Sequence, residues 1–169
     1  MADGTQAPDA ALPGTPPRAH YEQDEYGWLV EQAGLLRAGR VAEIDRASLA
    51  EFLTDMASTH QTTWQSAMTV LLHHMLKVLA QPERLTRSWL LTITVQQQQA
   101  QLVAEKNPGM RQYLPTLYAK AYADARRRAA AETGIALGRF PVDNPWTLEE
   151  AMAFVPPEPP PRGRRAGTG

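Results

Sequence analysis

The chain has 169 residues, 18 acidic and 17 basic side chains, a formal net charge of −1 and no cysteine. Its length supports one domain with a sizeable core, and its near-zero net charge disfavours a polyelectrolyte binder of nucleic acid. Without cysteine there is neither a disulfide nor a thiolate metal site, which suits a reducing, cytoplasmic setting, and no apolar run is long enough for a membrane span.

The charge is unevenly spread. Residues 1–60 hold 10 acids and 4 bases, whereas residues 61–169 hold 8 acids and 13 bases. That split suits electrostatic pairing between the halves or between two copies.

Residues 1–20 are rich in Pro and Gly and poor in bulky apolar side chains, so they read as a disordered tail. A first helix is expected from about Glu22 to Ala38, with Tyr26, Leu29, Ala33 and Leu36 inward and Gly39 just past its end. Asp45 is the expected N-cap of a second helix. Its inward stripe runs through Leu49, Phe52, Leu53, Met56, His60, Thr63, Trp64, Ala67, Leu71, His74, Met75 and Val78, and Pro82 stops it. The polar run Ser58 to Thr63 is the weakest stretch, where a bend or break is expected.

A third helix is expected from about Glu83 to Lys106, carrying Leu85, Trp89, Ile93, Ala100 and Val103 inward. Asn107-Pro108-Gly109 is a turn. The fourth helix, from about Met110 to Thr133, places Tyr113, Leu117, Ala121, Ala125 and Ala129 inward, with Gly134 as its cap. A short fifth helix follows Thr147, whose hydroxyl and Glu150 make a capping box. Residues 155–169, "VPPEPPPRGRRAGTG", read as a second disordered tail, rich in Pro and Arg. No period-2 alternation occurs at useful length. The expected fold is therefore all-α over residues 21–154, with four main helices in a bundle, a short C-terminal helix and no sheet.

The segments "YEQDEYGWL", "LLRAGR", "LLHHMLK" with "QPE" and "RSW", "AYADARRRAAAETG" and "FPVDNPWTLEE" together resemble the family known as Domain of Unknown Function 29. The likeness spans roughly Tyr21 to Phe154. It implies a helical fold and nothing else, because the family's members have no established activity, ligand or catalytic residues. The chain departs from the family pattern at Glu51-Phe52, where paired acids are common, and at Gln96 to Gln99, where an Arg is.

Signatures of known chemistry are scarce. No glutamate stands three residues before a histidine, as the di-iron bundles require, and His-Glu-x-x-His is absent. His60 and His74 share one stripe but lie roughly 21 Å apart along a straight helix, too far for one ion. Glu51 and Asp55, a turn apart, read as an acidic helix face rather than an acid–base pair. Arg126, Arg127 and Arg128 fan around their helix and cannot form one phosphate site, and partners for them are available in Asp124 and Glu132.

Gln65, Thr69, His73 and Lys77 make a polar stripe, so His73 is expected at the surface and His74 in the core. The reading from the residues is a non-enzymatic protein-interaction module in the cytoplasm. Its partner is expected to be another protein or a second copy, with no cofactor, metal, nucleic acid or membrane involved. The alternative is an enzyme or metal-binding bundle with a pocket formed by His74, Arg87 and Trp89.

Overall fold

The computed structural model describes residues 21–158, all helices, turns and irregular chain, with no strand among them. The expectations of disordered tails fall on residues outside this range, apart from Val155–Glu158, which carry no regular structure. The chain divides into two compact units meeting at Thr54 and Asp55.

In the first unit, α1 spans Glu25–Arg37, and the carboxylate of Asp24 caps it by accepting the Gly27 N–H at 2.8 Å. Gly39 ends it in the left-handed region at φ 69°, a conformation that glycine adopts without a Cβ penalty. A short 3-10 turn, Val41–Glu43, leads to α2, which begins at Arg46. Asp45 caps α2 as expected, accepting the Ser48 N–H at 3.2 Å.

The phase of α1 differs from expectation. Trp28, Gln32 and Leu35 are the buried residues, while Tyr26 and Leu36 are exposed. The Trp28 indole packs between the rings of Tyr21 and Phe52, with centroids 4.8 and 6.0 Å away. Gln32 is buried because its carbonyl accepts the Asp45 N–H at 2.9 Å, tying α1 to the head of α2. Hydropathy gives a glutamine no inward weight, whereas a backbone N–H in need of a partner does.

Helix α2 runs unbroken over Arg46–Ala80, roughly 50 Å long. The break expected at Ser58 to Thr63 is absent. In that stretch Thr59 and Thr63 donate their hydroxyls to the carbonyls of Asp55 and Thr59, at 2.9 and 2.8 Å. These polar side chains are thus satisfied within the helix instead of competing with it.

In the second unit, the C-terminal half of α2 is surrounded by α3 (Arg87–Lys106), α4 (Leu114–Thr133) and α5 (Leu148–Met152). Helix α3 starts four residues later than expected, because a 3-10 turn at Pro82–Arg84 and an extended Leu85 intervene and Thr86 becomes the N-cap. A second 3-10 turn, Pro108–Gln112, likewise delays α4. Gly134 caps α4 at φ 72°, and the Thr147–Glu150 capping box is present.

Trp64, Met68, Leu71, Leu72, Met75 and Ile93 fill the core with large side chains. Facing them are alanines at 100, 121, 125 and 129, all fully buried, which let the helices approach closely. The irregular chain after α4 is held by α4 side chains. Tyr122 donates to the Pro141 carbonyl at 2.8 Å, Tyr118 to that of Trp146 at 3.0 Å, and Arg126 to that of Leu137 at 3.1 Å. From α3, Gln97 donates to the Ala151 and Phe154 carbonyls at 3.0 and 2.9 Å and so fastens the end of α5.

The close approach at the alanines sets a test. Ala125→Leu should lower unfolding free energy by about 1–3 kcal/mol through overpacking, and Thr147→Ala by about 1 kcal/mol through loss of the cap. Urea unfolding followed by circular dichroism checks both.

Candidate functional site

A group of interacting ionisable side chains lies where the end of α2 meets α4. His73 and Lys77 stand one turn apart on α2 and both reach Glu132 of α4, fifty-five residues beyond Lys77. The Lys77 ammonium donates to one carboxylate oxygen, and His73 Nε2 lies 2.8 Å from the other without the alignment of a hydrogen bond. Lys77 also sits over the face of Trp89, 4.0 Å from the ring centroid. His74 is beside this group: its ring centroid is 5.0 Å from that of His73 and 6.3 Å from that of Trp89, and its Nδ1 is 2.9 Å from the Val70 carbonyl.

Burial here reverses the expected phase. His73 is 8% and Lys77 4% exposed, whereas His74 is half-buried. The physical reason is that the end of α2 is covered on nearly every side. Leu71, Leu72, Met75, Leu76 and Val78 are all buried, so no single apolar stripe exists to mark an inward face. Polar residues enter this core because Glu132 and Trp89 compensate them.

Electrostatics follow from the packing. Burial pulls the His73 imidazole down to about 4, outweighing the attraction of Glu132, and also lowers His74 below the ordinary histidine value. The hydrogen bond from Lys77 holds the Glu132 carboxyl below the usual carboxylate range. At neutral pH the group is thus a neutral His73 beside a Lys77–Glu132 ion pair. Half of the Glu132 side chain (52%) remains exposed, so the pair's anionic end is hydrated while its cationic end is buried.

Of the three residues singled out from sequence, the structure brings together His74 and Trp89. Arg87, in the first turn of α3, is exposed. Glu132 engages α2 rather than an arginine of its own helix. Arg127 pairs with Asp124 instead, and Arg126 turns to backbone carbonyls. Sequence reasoning missed Lys77 and Glu132 as a pair. The local signal was the one-turn spacing of His73 and Lys77, but their partner lies on another helix.

Two grooves mark the same unit. One, of about 680 Å³ between α2 and α3, is lined by Ser58, Thr62, Ser66, Gln96 and Gln99. The other, of about 430 Å³, has an apolar floor of Trp64, Ala100, Ala104, Leu148 and Met152 and a rim that includes Glu105 and Glu149. None of the residues of the His73–Lys77–Glu132 group, nor His74, Arg87 or Trp89, lines either groove. Among the described residues, no three His, Asp or Glu side chains are placed to hold one metal ion. No described helix is long and apolar enough to cross a membrane.

The model of the family described as Domain of unknown function DUF29 matches residues 20–154. Searches of curated proteins and of solved structures each returned no match.

The cluster predicts an ordered series of unfolding free energies. His73→Ala should cost about 2–4 kcal/mol, through a cavity and the loss of a filled core position, and His74→Ala clearly less. Glu132→Gln should cost more than Lys77→Met, because the former strands a buried ammonium and the latter removes it.

The pH dependence has a definite sign. The folded His73 value lies below that of the unfolded chain, so its contribution is present above about pH 6.5 and is lost as pH falls towards 4. Stability should therefore decline on acidification through that window, and His73→Gln should flatten the decline in urea titrations at several pH values.

Proposed function

The chain belongs to the DUF29 family, and we propose that it is a non-enzymatic helical interaction module whose contact surface is the outer face of α3. The observation that carries this reading is a row of apolar side chains turned away from the core. Leu91, Val95 and Leu102 are 65%, 45% and 46% exposed, and they lie opposite Ile93 and Ala100, which are fully buried. Isolated exposed leucines are ordinary, but an aligned row on the outer face of a helix is the pattern of an interaction surface.

The ionisable groups support the same reading. His73, Lys77 and Glu132 are engaged with one another, and the His74 ring is bonded to its own helix. The ionisable neighbours of His74, namely His73, Lys77 and Glu132, are directed at one another, and Arg87 is the exposed N-terminal residue of α3, which favours this reading over an enzyme or metal-binding bundle centred on His74. A cytoplasmic setting is part of the proposal, supported by a cysteine-free sequence.

The test is site-specific photo-crosslinking in the native cell with the full chain. A photo-reactive residue at position 95 should give discrete protein adducts, and one at exposed Lys120 on α4 should not. Adducts from neither position, or equally from both, would overturn the assignment of this face.

A further inference from the structure

Resting on that reading, we infer that the occupant of the α3 face is a second copy of this chain, paired antiparallel along α3. The argument is the self-complementarity of the face under a two-fold rotation. Leu91, Val95, Gln98 and Leu102 follow one another at spacings of four, three and four, the seam of a paired helix. All four are exposed. Gln98 is the seam's one polar member.

Charge completes the pattern. Arg87 and Glu105, both exposed, stand at opposite ends of the seam and eighteen residues apart, which is five full turns. They therefore flank the seam on the same side, whereas Lys106 lies about 100° further round. A two-fold axis perpendicular to α3 near Gln96 and Gln97 sets Leu91 against Leu102 of the partner and Arg87 against Glu105 of the partner. By symmetry each contact occurs twice. Parallel pairing would instead hold Arg87 and Glu105 at opposite ends of the seam, so no Arg87–Glu105 contact would form. Glu105 keeps an oxygen for this role, since Gln101 donates to only one of them, at 2.8 Å.

A single pair of helices about 30 Å long lies at the low end of stable interface sizes, so the association is a concentration-dependent monomer–dimer equilibrium. Sedimentation equilibrium of the full chain over a concentration series should show it.

Leu91→Asp should abolish the dimer without moving the thermal midpoint measured at a concentration where the unaltered chain is monomeric, because the residue is exposed. Arg87→Glu and Glu105→Arg should each weaken it tenfold or more, and the double swap R87E/E105R should restore it. The chain has no cysteine of its own, so a 1:1 mixture of Leu91→Cys and Leu102→Cys proteins should form a mixed disulfide faster than either alone. A dimer indifferent to these variants, or charge variants that the swap fails to rescue, would overturn the antiparallel pairing. A monomer at every concentration would overturn the second copy as occupant. If position 95 still crosslinks to other proteins in that case, the interaction-module reading survives; if it does not, both fall together.

Discussion

An ammonium in a helical core must be neutralised in place, and the pairing of Lys77 with Glu132 under the face of Trp89 meets that demand. Three helices are committed by it: α2 supplies the cation, α4 the anion and α3 the ring. Rotating α2 by one residue would carry Lys77 off its partner, at a cost larger than any single apolar contact could return. The pair therefore acts mainly on specificity, since an apolar residue at position 77 would pack as well but leave the rotation of α2 less defined. With that rotation set, Met68, Leu72, Met75 and Leu76 are all directed into the unit's interior, and His73 follows as the neutral neighbour of the ion pair.

Around this fixed point the remaining polar demands are met by long side chains reaching to backbone. The chain between α4 and α5 bonds its own backbone only around the short turn Leu137–Arg139. Tyr118, Tyr122 and Arg126, spaced along one side of α4, donate to its carbonyls as well, while Gln97 donates from α3 to carbonyls within and just after α5. These four side chains explain how a segment with little regular structure can cover a core containing Phe140 and Ala151. The alanines of α4 act in concert with them, because a closely approaching helix leaves no gap that the irregular chain must fill.

Much of the fold was legible from the residues alone. Helix number, the caps at Asp45 and Thr147, the glycine ends at 39 and 134 and the inward alanines of α4 all follow from short-range chemistry that leaves a clear trace. The failures share a physical cause. Gln32, His73 and Lys77 are inward because of partners distant in sequence or hidden in the backbone, and a hydropathy stripe cannot register a partner. The unbroken α2 was misread because propensity counts threonine against a helix, whereas Thr59 and Thr63 return their hydroxyls to it. Of the candidate pocket, the meeting of His74 and Trp89 came from the neighbourhood of two consecutive helices. Arg87 was drawn in by sequence proximity to Trp89, although two steps along a helix turn a side chain to the far side.

The fastening of α5 by Gln97 has a consequence for how the molecule is made. Ribosomes deliver α2, α3 and α4 before residues 140–154, yet Phe140 and Ala151 are interior to the unit those helices form. During translation the three helices must wait with Trp64, Ala100 and Tyr122 incompletely covered, and Tyr122 and Arg126 without the carbonyls they will hold. Completion of the unit is thus deferred until a short C-terminal stretch clears the exit tunnel. Nascent chains are exposed to misassociation through that open seam for the whole interval.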